Sequence, residues 1–328
     1  MSYRDTQKKY QILMKDHFFS QEALREGLYN NKPRAFCLHE DFKVENLYES
    51  IRQPALDYFS KYSIRWHDND KLKVKPSNHL CDSQVCCLNF LFPLRYDSEA
   101  VAKLLKPVFP TLVKVLPMED EGEYISFEWN GLTNYLHEKT MYGQRPRGEF
   151  STSADAAVMF EHKDGTRQIV LIEWKYTESY KSQSKKISPY GTDRSILYAP
   201  FYEDRCSPIA SQVIPSFDDL FFDPFDQLMR QQLLAHEMEK AKELGASIVT
   251  VLHIAPKSNR DFYTITSPGL IGLSKGTATK TWESFVKGNR FLSVYTEELF
   301  GQFPLDRFPG LGEWWHYINV RYLLGMAE

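Results

Sequence analysis

The 328-residue sequence has few cysteines, no long apolar run and no excess of either charge. Its five cysteines, Cys37, Cys81, Cys86, Cys87 and Cys206, are odd in number and include an adjacent pair, which argues against a disulfide framework and for reduced thiols. His79 with Cys81, Cys86 and Cys87 offers metal-ligating atoms. Two of these are neighbours, however, and no second cluster completes a tetrahedron, so buried thiols on a helix are expected rather than zinc. No stretch approaches the roughly 18 apolar residues of a membrane helix, and the opening Met1-Ser2-Tyr3-Arg4-Asp5 has no apolar signal core. The expected location is the cytoplasm, without a membrane partner. Lys and Arg number 40 against 43 Asp and Glu, a formal charge of -3. No overall basic field advertises nucleic acid, and a charged partner has to be met in a local cleft.

What is present is ordinary globular composition, 42% hydrophobic and 25% charged, which excludes wholesale disorder. The sequence shows no internal repeat, and organisation is read from periodicity. Ser50 to Tyr62, Ser83 to Phe92 (stopped at Pro93) and Ser98 to Leu105 carry helical spacing. From Leu112 the texture turns β-branched and aromatic: strands are expected at Leu112–Leu116, Tyr124–Trp129, Ala154–Glu161, Gln168–Thr177 and Ile248–Leu252. Between the last two, Asp223 as N-cap, Pro224 at the first helical position and Gly245 as terminator frame a long helix. The expected class is α/β of the α+β type, a mixed sheet flanked by helices with a mainly helical N-terminal region. Residues 1–115 form that region, with 78–108 contributing core helices; 116–270 form the core, and 271–328 an aromatic-rich extension.

The chemistry concentrates in Ala154-Asp155-Ala156-Ala157-Val158-Met159-Phe160 and Ile169-Val170-Leu171-Ile172-Glu173-Trp174-Lys175. Strand residues two apart share a face, so Glu173 and Lys175 point the same way out of an apolar run. Burying such charges costs several kcal/mol unless they pair or bind an ion. A three-residue turn Lys163-Asp164-Gly165 pairs His162 with Thr166, and counting back puts Asp155 opposite Glu173. A two-residue Asp164-Gly165 turn would put it opposite Trp174 and separate the carboxylates. The glycine in third position favours the longer turn. Two carboxylates beside an ammonium make a site for Mg²⁺, with Mn²⁺ able to substitute.

The spacing Asp155-x17-Glu173-x-Lys175 across a hairpin resembles the PD-(D/E)XK nuclease superfamily. A closer resemblance, to an uncharacterised family of bacterial restriction-endonuclease-like proteins within it, runs over about residues 78 to 244. It is carried by Asn78-His79-Leu80-Cys81-Asp82-Ser83-Gln84, Asn89-Phe90-Leu91-Phe92-Pro93, Asn134-Tyr135-Leu136-His137-Glu138, Arg147-Gly148, Thr152-Ser153-Ala154-Asp155 and Glu173-Trp174-Lys175-Tyr176-Thr177-Glu178. Ala154 stands where the superfamily's proline would.

The resemblance implies a metal-dependent DNA endonuclease in which Asp155, Glu173 and the main-chain carbonyl of Trp174 hold the ion and Lys175 assists. It implies a further helical glutamate, for which Glu138 is the candidate with Glu128, expected to face solvent, behind it. Gln227, Gln231, Ser83 and Gln84 are candidate substrate contacts, with a solvated helix shoulder the plainer reading of the first two. Lys181, Lys185, Lys186 and Arg194 read equally as a phosphate-contacting flap or a solvated loop. Trp314, Trp315, Tyr317 and Tyr322 offer stacking surfaces but are expected in the core. Two other functions compete: a catalytically silent nuclease-fold binding or interaction protein, and a glycoside hydrolase, which has no need of the lysine. A homodimer is compatible with the sequence, which does not fix the oligomeric state.

Overall fold

The computed structural model describes residues 1–67, 73–120, 122–138, 145–149, 151–189 and 191–327. The first helices are α1 Tyr3–Phe18, α2 Arg52–Lys61, α3 Ser83–Leu91 and α4 Ser98–Leu105; α2 and α4 bury apolar residues recurring every three or four places, α3 is apolar almost all round, and α1 buries Gln7, Gln11 and Lys15. α3 and α4 start on aspartates, whose carboxylates take up amide N–H groups that the first helical turn leaves unbonded. Asp82 Oδ1 accepts from Val85 N at 2.9 Å, and Asp97 Oδ1 accepts from Ala100 N at 2.9 Å. α3 gives way to a tight turn carrying Pro93, which has no N–H to offer a helix interior. A small antiparallel hairpin, β1 Gly27–Tyr29 with β2 Lys32–Arg34, lies between α1 and α2.

Six strands make the main sheet: β3 Leu112–Leu116, β4 Ser126–Trp129, β5 Ala154–His162, β6 Arg167–Trp174, β7 Ile248–Ala255 and β8 Phe291–Tyr295. The order is β3-β5-β6-β7-β8, with β4 also on β5. β3, β4 and β6 run antiparallel to β5, whereas β6, β7 and β8 are mutually parallel. Parallel neighbours need crossover connections. The first includes α5 Ser195–Tyr202 and α6 Phe225–Ala241, the second α7 Arg260–Tyr263 and α8 Ala278–Phe285; α9 Thr296–Gly301 and α10 Gly312–Ile318 follow β8. The sheet is therefore mixed and flanked by helices, as the sequence pattern implies. Among the described residues no helix is long and apolar enough to cross a membrane.

Each face of the sheet buries its own core. Phe90, Trp174, Phe300 and Trp314 join α3, α9 and α10 to one face; Leu171, Val251, Leu234 and Trp282 join α6 and α8 to the other. The C-terminal aromatics belong to the first core: Trp314 Nε1 donates to Asn89 O at 2.9 Å, and Asn89 Nδ2 donates to the buried Tyr322 hydroxyl at 2.8 Å.

Several boundaries differ from the sequence reading: β4 begins at Ser126 rather than Tyr124, and β7 runs on to Ala255 rather than ending at Leu252. β6 stops at Trp174 rather than Thr177. Pro224, not Asp223, precedes the first residue of α6, and the Asp223 carboxylate pairs instead with Lys185. That helix ends at Ala241 because Lys242 turns left-handed (φ 53°), leaving Glu243–Gly245 as a separate turn.

Candidate active site

The loop at 163–165 decides where Asp155 lands. His162 N–H donates to Thr166 O at 2.8 Å and Gly165 N–H to His162 O at 3.0 Å, with Gly165 at φ +81°. This is the three-residue turn, closed by a residue in the left-handed region where glycine carries no Cβ penalty. The ladder then runs from Glu161 opposite Arg167 to Ala156 opposite Ile172. The next position sets Asp155 opposite Glu173. On the other edge of β5, Asp155 lies across from Glu128, between the pairs Phe127–Ala156 and Trp129–Ala154. Glu173 is level with His253, and His253 with Ser293. One level of the sheet thus carries Glu128, Asp155, Glu173, His253 and Ser293 on β4, β5, β6, β7 and β8.

Hydrogen bonds fix these groups. Asp155 Oδ2 accepts from Trp174 N at 2.6 Å, pinning the β5 carboxylate to the neighbouring strand. Glu173 is 1% exposed, and its Oε2 accepts from Gln231 Nε2 at 2.7 Å. The Glu173 Oε1 atom is ion-paired with the Lys175 ammonium. Lys175 N–H donates to Ile254 O at 2.8 Å, which carries the lysine onto β7.

Burial raises the Asp155 carboxyl well above the usual carboxylate range, and the Glu173 charge raises it further. Burial also raises Glu173, against the pull of Lys175 and the more distant Arg230. Burial alone would lower Lys175, but Glu173, Tyr180 and Asp155 overturn that and leave the ammonium protonated well beyond its ordinary range. The cluster therefore holds one firm cation against two carboxylates that resist ionising together.

Glu128 does not face solvent. It is 2% exposed, with a positive φ of 50°, and accepts from Gln84 Nε2 at 2.6 Å and Ser153 Oγ at 2.9 Å. Its charge helps raise both Asp155 and Glu173. The room for it depends on Gly148 (φ +77°), where a Cβ would stand 2.9 Å from Arg65 O and 3.3 Å from Glu128 Oε2. Glu138 is not on a helix. Its oxygens are taken by Thr152 N at 2.6 Å, Thr152 Oγ1 at 2.7 Å and the Tyr198 hydroxyl at 2.8 Å.

Among the candidate substrate contacts, Gln231 is not on a solvated shoulder. It is 1% exposed, and its Nε2 bridges Glu173 Oε2 and, at 2.6 Å, Ser153 O. Gln84 is likewise committed, to Glu128 and to His67 N–H at 2.8 Å. Gln227 and Ser83 are half-buried. Lys185, Lys186 and Arg194 pair with Asp223, Asp218 and Asp226, while Lys181 is exposed. The loop 179–193 that carries these lysines includes residue 190, outside the described residues.

Compared with known families, the chain matches over residues 7–323 the model of the REase-ARP family, restriction endonuclease associating with ARP. The chain belongs to that family. No curated protein and no solved structure matches the chain significantly. Membership in REase-ARP puts the chain among restriction-endonuclease-like nucleases, and the mixed sheet flanked by helices is consistent with that fold.

Two residues of this REase-ARP chain beside the carboxylates escape sequence reading. Arg230, one turn beyond Asp226 on α6, donates to Asp226 Oδ2 at 3.3 Å and to Thr152 Oγ1 at 3.0 Å. The i,i+4 spacing of that acid–base pair is visible in the sequence, but its docking on Thr152 is not. His253 sits in a strand read only as buried, and its alignment with Glu173 exists only through the parallel pairing of β6 and β7.

Proposed function

We propose that this chain is a metal-dependent endonuclease that hydrolyses phosphodiester bonds of DNA. The observation that carries the reading is the meeting of half-buried Asp155 with buried Glu173 and Lys175 at the end of the β5–β6 hairpin, in a family of restriction endonucleases.

The donor set fits a small hard cation. Glu173 Oε1 is held by the Lys175 ammonium and Oε2 by Gln231, so both oxygens of the buried carboxylate are fixed in place. Among the described residues no three His, Cys, Asp or Glu side chains make a cage, so main-chain and solvent oxygens have to complete any shell, as Mg²⁺ prefers. Asp155, Glu173 and the main-chain carbonyl of Trp174 would hold Mg²⁺ or Mn²⁺, which supplies Lewis acidity at phosphorus and a lower pKa for a bound water. The oxygens of Glu138 are already occupied and stand outside this set.

The chain's own groups do the rest. The Lys175 ammonium, protonated throughout the physiological range, orients the attacking water and meets the negative charge that develops on the phosphate. Gln231 holds Glu173 in place and ties it to the backbone before Asp155.

Incubating plasmid, single-stranded DNA and RNA with Mg²⁺, with EDTA as control, tests the reading. Mg²⁺-dependent nicking of DNA that EDTA stops is the expected result. Binding without cleavage would replace the nuclease with a catalytically silent nucleic-acid-binding protein.

A further inference from the structure

At the carboxyl ends of β7 and β8, where parallel sheets gather their ligands, lies a cavity of about 590 Å³. Lys257, Arg260, Ser274 and Thr277 stand in its walls beside the rings of Tyr263 and Tyr295, and among the described residues that line it there is no carboxylate. The chain as a whole carries more acid than base. An anion therefore has to be met in a local cleft, and this one has the right sign.

The sheet relates the cavity to the candidate site. β7 pairs with β6 as far as Trp174–Ile254, and β8 pairs with β7 as far as Ala255–Tyr295. Because Lys175 N–H donates to Ile254 O, the next step of the ladder brings Lys175, Ala255 and Tyr295 level. Neighbouring strands lie about 4.8 Å apart, so the main chains of Lys175 and Tyr295 are about 10 Å apart. A row of rings spans the interval: Tyr180 meets Phe262 at 5.5 Å between centroids, Phe262 meets Tyr263 at 5.3 Å, and Tyr263 meets Tyr295 at 5.9 Å. Asn259 Nδ2, at the start of α7, donates to Tyr176 O at 3.1 Å and to Glu178 O at 3.0 Å. The segment that follows Lys175 is thereby fastened to the helix that walls the cavity.

Both cations can receive a ligand. Arg260 is exposed, and its guanidinium has no partner among the described residues. Lys257 Nζ lies 5.2 Å from the centre of the Tyr295 ring and 2.9 Å from Glu298 Oε1, with both charged side chains exposed. An ion pair so exposed is weak, and a phosphate can displace it. Glu297 is turned to the main-chain N–H of Lys257, at 3.2 Å.

We propose that this cavity holds a backbone phosphate of the DNA strand whose scissile phosphate lies at Lys175. Lys257 and Arg260 supply the charge, Ser274 and Thr277 the hydroxyl donors, and Tyr295 a surface for the sugar. With a rise of about 3.4 Å per nucleotide, the two phosphates are about three nucleotides apart. The proposal rests on the nuclease reading and extends it to how the strand is held.

The test measures anisotropy of one labelled DNA duplex with Mg²⁺ over a range of salt, on full-length chains carrying Lys175→Ala to suppress cutting. Adding Lys257→Gln and Arg260→Gln together should weaken binding about tenfold near 0.1 M salt and lower the slope of log affinity against log salt by about 2. Lys114→Gln with Lys163→Gln removes the same charge from the opposite edge of the sheet and from the β5–β6 turn, and should change neither quantity. Thermal melts establish that each protein is folded.

Parent-like affinity and slope in the folded Lys257–Arg260 pair overturn the proposal, as does an equal loss in the Lys114–Lys163 pair. Inorganic phosphate binding as tightly as the duplex, and lost with Lys257 and Arg260, would make this a free-phosphate site and not a strand contact. Cleavage by the parent with no change in binding on losing the two cations sinks this contact alone. Absence of DNA binding removes the nuclease reading with it, and a cavity-dependent affinity in a parent that never cuts keeps the contact and discards the cleavage.

Discussion

Asp155 Oδ2 accepts the main-chain N–H of Trp174 at 2.6 Å, so the carboxylate of one hairpin strand is anchored between Glu173 and Lys175 of the other. That bond holds the half-buried Asp155 carboxylate beside β6, where the charge of the buried Glu173 opposes its ionisation. The metal-free protein bears the electrostatic cost, and this gives the first prediction its sign.

Asp155→Asn should remove Mg²⁺ binding while leaving the metal-free protein as stable or more stable. The Asp155 pKa is raised in the folded state by burial and by Glu173. The folded chain therefore holds this proton to higher pH than the unfolded chain, whose value is about 3.9, and stability falls as pH rises from there through the raised folded value. Asparagine cannot ionise, so its advantage over the parent should grow with pH in thermal melts at pH 4 to 8. Mg²⁺ at about 100 times its dissociation constant should stabilise the parent by about 2.7 kcal/mol, and the variant not at all. Equal Mg²⁺ stabilisation of the two proteins would move the ion elsewhere.

Lys175→Ala should cut cleavage about 100-fold with DNA affinity nearly intact, a loss of about 2.7 kcal/mol in transition-state stabilisation. Lys175→Arg should rescue poorly, because a planar guanidinium does not fit the ammonium's place beside Glu173. Single-turnover rates and anisotropy on one oligonucleotide separate the two effects. An alanine variant that cleaves at the parent rate would take the lysine out of the mechanism.

Gln231→Leu should weaken Mg²⁺ binding by about 10- to 100-fold, the usual cost of losing a group that orients a metal ligand. Its Nε2 donates to Glu173 Oε2, the carboxylate oxygen that Lys175 does not hold. Titration calorimetry measures the affinity, and a leucine variant that binds Mg²⁺ like the parent would reduce Gln231 to a packing role.

Gly148→Ala should destabilise the fold more than Gly165→Ala. Both glycines have positive φ, which costs an L-residue about 1–2 kcal/mol. A Cβ at Gly165 meets nothing within 4 Å, whereas at Gly148 it is 2.9 Å from Arg65 O and 3.3 Å from the Glu128 carboxylate. Urea unfolding of the two variants gives the order directly, and equal losses would mean that the 148 segment gives way freely.

Much of this molecule is legible from local chemistry. The apolar runs of β5 and β6 mark buried strands, the glycine in third place of the 163–165 turn sets their register, and that register brings Asp155 to Glu173. These features depend on neighbours along the chain, where pleat period and turn geometry fix which side chains meet. The partners drawn from distant segments are decided only by tertiary packing. Glu128, nominally a strand residue facing water, is turned inward by a left-handed backbone and held by Gln84 and Ser153. Gln231 reaches Glu173 because α6 docks across the sheet, and His253 stands level with Glu173 because a crossover of more than 70 residues returns β7 parallel to β6. No periodicity within either segment encodes such a meeting. It follows from how helices and strands bury their apolar faces together, and the carboxylates, the lysine and the histidine are carried into place with them.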